Sequence, residues 1–341
     1  MRRTLGHISV GGLVIVLASA LLQGAAPAAR SRVAQEAAAA AATGAKPQTA
    51  PAPTGIAKPL VPLAWRGHIE AAKREAAGRG WCVLVYFRAD WCKPCWLMEK
   101  GTFALPAVAQ FMNRHFVPVR IDDSAGPSEV AKAYDIRVYP SVLFLDPGGE
   151  PLHLILGPRT PEVFYRVLQQ VKDLPVLMER QHAHPDSLEA NFALGNALGK
   201  LNQLQKATPY LEKAAELDPR NVHGRTSQAR LILAVVPLET GKSAEALANL
   251  DAWLREFADA AEAPVAIWYQ GTILYQDGRL VEARRYFQRI ITQFPKHVKA
   301  YEADKAIEHI EARLRAEAAA GKKPSATPPA AANPSRPKPK G

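Results

Sequence analysis

Hydrophobic and polar positions change rhythm along this chain. Between residues 61 and 175, short apolar runs alternate with amphipathic stretches; from 177 to 316 the spacing is helical almost throughout. Arg66 to Ala77 sets Ile69 and Ala72 on one side and charges on the other, predicting a helix that Gly78-Arg79-Gly80 ends. Cys82-Val83-Leu84-Val85-Tyr86-Phe87 is nearly continuous in apolar residues, the pattern of a central strand buried on both faces. Helices are expected from Trp96, over Pro106 to His115, and over Ser128 to Tyr134. Phe116 to Ile121 and Ser141 to Leu145 predict further strands. Pro147-Gly148-Gly149 predicts a turn, and Leu152 to Leu156 a strand that pairs back. Thr160 to Val171 closes the zone as a helix, with Thr160 at its N-cap and Pro161 at its first position.

The ends of the chain differ from its middle. Arg2 and Arg3 precede an uncharged, mostly apolar run from Ile8 to Leu22, with small-residue motifs at Ala18-Ser19-Ala20 near its end and Ala26-Pro27-Ala28 beyond it. Residues 1–28 therefore read as a cleaved export signal or an uncleaved anchor, and either places the rest of the chain outside the cytoplasm, in a periplasmic or similar compartment. Residues 29–60 are an Ala/Pro-rich tether, and residues 317–341 a basic tail of Ala, Pro, Ser and Lys expected to be disordered. The formal net charge of +11 belongs mostly to these ends. Residues 1–60 carry six basic residues against one acidic one, and residues 318–341 carry five and none. The folded middle is close to neutral, which argues against a nucleic-acid partner. Two domains are expected, at 61–176 and 177–316.

Chemistry concentrates at Trp91-Cys92-Lys93-Pro94-Cys95. A strand leading into this motif puts Cys92 at a helix N-terminus, where free N–H groups and the helix dipole favour a thiolate. The three-residue step brings Cys95 one helical turn under Cys92, within reach of a disulfide. Cys92 is expected to be the exposed attacker and Cys95 the buried resolving thiol. Pro94 stiffens the turn, and Lys93 adds a positive charge beside Cys92. Zinc requires four ligands and no second cysteine pair exists, so the expected metal content is none. Cys82 is expected to be buried and inert. His182 and His184 are expected on the surface at the domain junction.

Three stretches resemble the thioredoxin superfamily, most of all the C-terminal thioredoxin-like domain of DsbD-type thiol:disulfide interchange proteins: V-L-V-Y-F-R-A-D-W-C-K-P-C, M-E-K-G-T-F-A-L-P-A-V and V-Y-P-S-V-L-F-L-D-P-G-G. The resemblance implies an α/β fold, a central mixed sheet flanked by helices. It implies that Pro140 is a cis-proline facing the dithiol and that the backbone of Tyr139 pairs with an incoming peptide. Gly157 matches the glycine of the family's last strand. Glu99 matches an acidic residue that assists proton transfer at Cys95. One position departs: Tyr86 stands where the family usually buries an aspartate.

Asn191 to Pro219 and Ile267 to Pro295 resemble tetratricopeptide repeats, through Leu194, Gly195, Ala207, Leu211, Ala214 and Pro219, and through Gly271, Gly278, Ala283, Phe287 and Pro295. The middle unit, Thr226 to Phe257, is interrupted by Pro237 and Gly241. The expected fold is thus a thioredoxin-like α/β domain followed by all-α repeats that offer a surface to a protein or peptide ligand. The expected activity is that of an exported thiol:disulfide oxidoreductase, most simply a reductase of protein disulfides. Trp91, Lys93, Pro94, Tyr139 and Pro140 would frame the substrate. No cofactor is expected beyond the redox-active Cys92–Cys95 pair. No multispan electron conduit is recognisable, so a reductase would need a separate membrane donor. A non-catalytic adaptor and a disulfide isomerase remain as alternatives.

Overall fold

The computed structural model describes residues 62–319; the expected export segment, the tether and most of the basic tail lie outside them. The chain divides into two units at His184/Pro185.

In the first unit the central strand is β1 (Cys82–Arg88). It pairs in parallel with β2 (Phe116–Asp122) and antiparallel with β3 (Ser141–Leu145), which pairs antiparallel with β4 (Pro151–Leu156). The sheet order is β2-β1-β3-β4. Both faces of β1 are covered, as its continuous apolar run requires. Val83, Val85 and Phe87 join Val117, Val119, Leu143 and Leu145 on one face. That core is capped by Ala72 and Ala76 of α1 (Ile69–Arg79) and by Ala131 of α4 (Glu129–Ala133). On the other face Tyr86 meets Phe103 edge-on at 4.9 Å, and Phe103 meets Phe164 at 5.4 Å. The helices of that face are α2 (Lys93–Gly101), α3 (Pro106–His115) and α5 (Pro161–Val171).

Three details differ from the sequence expectation. The first helix starts at Ile69, not Arg66. Arg66 pairs instead with the outer edge of β2, its N–H donating to Pro118 O at 2.8 Å and its carbonyl accepting from Arg120 N at 3.0 Å. The helix then runs through Gly78 to Arg79 and stops at Gly80, whose φ of 65° only glycine adopts freely. Thr160 occupies the N-cap of α5, but its side chain makes no capping bond. The third difference is the domain limit. Helix α6 (Leu174–Ala183), anchored by the fully buried Leu174, belongs to the first unit, which extends to His184 rather than to residue 176.

The second unit is helical throughout. Its first pair is α7 (Leu188–Lys200) and α8 (Leu204–Leu217). The middle pair is α9 (Arg225–Ala234) and α10 (Ser243–Glu256). A 3-10 turn at Val236–Thr240 holds Pro237 between them and is closed by Gly241 at φ 73°. The last pair is α11 (Ala263–Gln276) and α12 (Leu280–Gln293), followed by α13 (Val298–Ala319). A Cβ on Gly195 would lie 2.7 Å from Leu211 Cγ, and one on Gly271 2.8 Å from Phe287 Cε1. Each glycine thus lets the second helix of its pair dock directly on the first. Among the described residues no helix is long and apolar enough to cross a membrane.

Candidate active site

The site is built where β1 stops and α2 starts. Arg88 at the end of β1 pairs with Asp90, Glu99 and Asp122, which ties the turn, α2 and the end of β2 together. The Arg88 Nε lies 3.0 Å from Glu99 Oε1 but out of line for a hydrogen bond, so this contact is Coulombic. The Asp90 N–H donates to Ser124 Oγ at 2.8 Å, and Cys92 N–H to Ala89 O at 3.1 Å. The turn that carries Trp91 and Cys92 is therefore held from both sides.

Cys92 is the N-cap of α2, with extended φ −84° and ψ 93°, and Pro94 lies in the first turn. Proline is suited to that position because the first N–H groups of a helix lack partners within it. Cys92 and Cys95 form a disulfide, with Cα atoms 5.3 Å apart. The Cys95 N–H donates to Cys92 Sγ at 3.1 Å. Trp91 is 68% exposed, and Lys93 and Pro94 face solvent. Cys92, expected to be exposed, is only 4% so, and Cys95 is fully buried. The cover is Tyr139, which packs on the cluster of Ala89, Cys92 and Cys95 and meets Trp91 edge-on at 5.6 Å.

The Tyr139–Pro140 peptide bond is cis. Pro140 O accepts from Gly157 N–H at 2.8 Å, and Gly157 takes φ 79° to present it. Among the described residues the backbone N–H and C=O of Tyr139 have no backbone partner. The Tyr139 hydroxyl donates to Asp123 Oδ2 at 2.9 Å. Burial, then the Asp123 hydrogen bond and charge, push that hydroxyl up to about 12, so it stays protonated at neutral pH.

Glu99 is half-buried and meets Tyr86 and Arg88; no hydrogen bond joins it to the sulfur of Cys95. Tyr86 Oη lies 3.3 Å from Cys95 O and 3.2 Å from Glu99 Oε1, so its single proton lies between two acceptors. Burial, with the Glu99 charge second, raises the Tyr86 phenol far above its ordinary value. Cys82 is buried at the start of β1, its thiol 3.6 Å from Val171 O of α5. Burial, with Asp146 and Asp173 adding to it, pushes this thiol up to about 12. His182 and His184 are exposed, and no group of three or more metal-ligating side chains exists among the described residues.

Arg88, Asp90, Asp122, Asp123 and Ser124 were not anticipated from sequence. The last three form a polar run directly after an apolar strand, which marks a turn but not what the turn touches.

Residues 64–147 match the family model described as thioredoxin-like, and residues 188–221 and 233–298 match tetratricopeptide-repeat models. The chain is 32% identical over 84 residues to the thiol:disulfide interchange protein DsbD of Pseudomonas fluorescens, covering 24% of this chain and 14% of that protein. It is 35% identical over 85 residues to the thiol:disulfide interchange protein DsbD 2 of Pseudomonas aeruginosa, again covering 24% of this chain and 14% of that protein. Among solved structures, the oxidised C-terminal domain of Neisseria meningitidis DsbD is 26% identical, with a TM-score of 0.28 over 32% of this chain and 99% of that one. The chain therefore carries a thioredoxin-superfamily domain, followed by tetratricopeptide repeats.

Proposed function

We propose that this protein is an exported thiol:disulfide oxidoreductase that reduces disulfides in protein substrates and holds partners on its repeat unit. The observation that carries the reading is the Cys92–Cys95 pair at the start of α2, beside the open backbone of Tyr139. In the reduced protein the Cys92 thiolate attacks one sulfur of a substrate disulfide. A Cys92–substrate bond forms, and the other substrate sulfur leaves as a thiolate that takes a proton. Cys95 then loses its proton and attacks Cys92 Sγ, forming the Cys92–Cys95 disulfide and releasing the second substrate thiol. Two electrons have passed to the substrate, and a separate dithiol donor must return the protein to its reduced state. That donor is expected in the membrane.

The domain matches and the DsbD relatives support thiol–disulfide exchange. The apolar run after Arg2 and Arg3 supports export.

The test is the reduction potential of the Cys92–Cys95 couple, measured against glutathione or dithiothreitol buffers, together with insulin reduction. A potential near roughly −270 mV supports a reductase, and one between about −120 and −180 mV points to oxidation or isomerisation instead. If Cys92→Ser protein reduces insulin as fast as wild type, the reading is lost.

A further inference from the structure

We propose that Asp123 is a positioning residue that fixes the Tyr139 ring across Cys92 and so sets how open the reduced Cys92 thiol is to its substrates. This deepens the reading above and rests on it.

Asp123 is 1% exposed and both its carboxylate oxygens have work to do. Oδ1 accepts from Ser128 N–H at 2.8 Å, which holds the loop leading into α4. Oδ2 accepts from the Tyr139 hydroxyl at 2.9 Å. Its own N–H donates to Arg88 O at 2.8 Å, so the carboxylate stands on the end of β1, the strand that leads into the dithiol. The loop bond alone would be met by any side chain with one acceptor. The second oxygen serves only the tyrosine.

Tyr139 is thereby held at two ends. Its backbone end is fixed by the Gly157 bond to Pro140 O, and its ring end by Asp123. Between these points the ring packs on Ala89, Cys92 and Cys95. Trp91 forms the outer wall, meeting the ring edge-on at 5.6 Å while itself 68% exposed. A hydrogen bond to a buried carboxylate is about twice as strong as a neutral one. The position of the ring, and with it the 4% exposure of Cys92, depends on that bond.

The test uses the reduced full chain and the pH profile of Cys92 alkylation by iodoacetamide, with the modified thiol mapped by mass spectrometry. The plateau rate at high pH reports access, and the midpoint reports the thiolate. Tyr139→Phe keeps the ring and removes its tether; its plateau rate is expected to rise about tenfold, the scale of one good hydrogen bond. Asp123→Asn keeps the Ser128 bond and leaves a weaker neutral contact to the hydroxyl; a rise of roughly threefold is expected. In the Tyr139→Phe background, Asp123→Asn is expected to add nothing, because its only route to Cys92 has been removed. Ser128→Ala, which loses the α4 cap but not the tyrosine contact, is expected to react as wild type does.

A wild-type plateau rate in Tyr139→Phe overturns the proposal. So does an Asp123→Asn effect that is the same with and without the Tyr139 hydroxyl. Should Asp123→Asn protein fail to fold, the Tyr139→Phe rate decides alone. Wild-type protein that does not reduce insulin would sink the functional reading while leaving the alkylation result to stand by itself.

Discussion

The hydroxyl of Tyr86 stands between the carbonyl oxygen of Cys95 and a carboxylate oxygen of Glu99, at 3.3 and 3.2 Å. A residue of the central strand thus touches the backbone of the reactive helix at its buried cysteine. Tyr86→Phe keeps the ring packing on Phe103 and removes only this link. The expected loss of stability is about 1–2 kcal/mol, since a buried acceptor is left with fewer partners. Urea unfolding measures it; a loss near zero would mean that the hydroxyl contributes nothing to the fold.

The two cysteines should separate by variant. Cys92→Ser is expected to abolish insulin reduction. Cys95→Ser should still attack but leave the mixed disulfide unresolved, visible as a substrate adduct on a non-reducing gel. An adduct through Cys95 in the Cys92→Ser protein would reverse the assigned order. A double Cys92→Ala, Cys95→Ala chain that kept its cellular role would favour the adaptor alternative.

Cys82 gives a pH prediction with a definite sign. Its folded thiol is held up to about 12, above the ordinary value of 9.0, by burial first. The folded state therefore keeps a proton that the unfolded state releases. Its contribution to stability is complete below about pH 8.5 and is lost as pH rises toward 12. The oxidised native protein should show no thiol to a disulfide reagent at pH 8, and one after denaturation. Native reactivity at the denatured rate would refute its burial.

Asp122 acts on the acid side. The Ser124 hydroxyl first, then its N–H and the Arg88 guanidinium, hold this carboxyl below the usual range. A depressed folded value means stability present above about pH 4 and lost as pH falls through the folded value. Ser124→Ala should therefore cost more stability at pH 7 than at pH 3, measured by urea unfolding. An equal cost at both would show that the hydroxyl does not discriminate between the charged and neutral carboxyl.

In the repeat unit, Gly271→Ala places a methyl 2.8 Å from the buried Phe287 ring. Overpacking of this kind costs about 1–3 kcal/mol, set against up to about 1 kcal/mol gained in helix propensity. The net change should be destabilising and visible in the thermal melt. A stabilised variant would show that the two helices can separate without loss.

Much of the fold was legible because its signals are local. The apolar run of β1, the proline at the start of α2 and the glycine that closes α1 each act within a few residues. What the sequence hid depends on distant partners. Arg66 leaves its expected helix because the edge of β2, more than fifty residues away, offers it two backbone bonds. The Tyr-Pro pair marked Tyr139 as a neighbour of the dithiol, but not that its ring packs on Cys92 or that its hydroxyl meets Asp123, because both partners are distant in sequence. Helix α6 falls within the first unit, although its one buried residue, Leu174, gives periodicity too little to assign it to either side.

The amide of Cys95 is shared between the carbonyl oxygen of Cys92, 3.0 Å away, and its sulfur, 3.1 Å away. In the disulfide that sulfur is neutral; after reduction it is the atom expected to carry the negative charge. The same donor thus meets a weak acceptor in one state and a strong one in the other. Whatever free energy it adds to the folded thiolate enters the melting curves and the redox equilibrium alike, because the oxidised and reduced, folded and unfolded forms close one thermodynamic cycle. Heating the oxidised and reduced forms side by side therefore weighs the same preference, referred to the unfolded chain, that an electrochemical titration reads as a voltage.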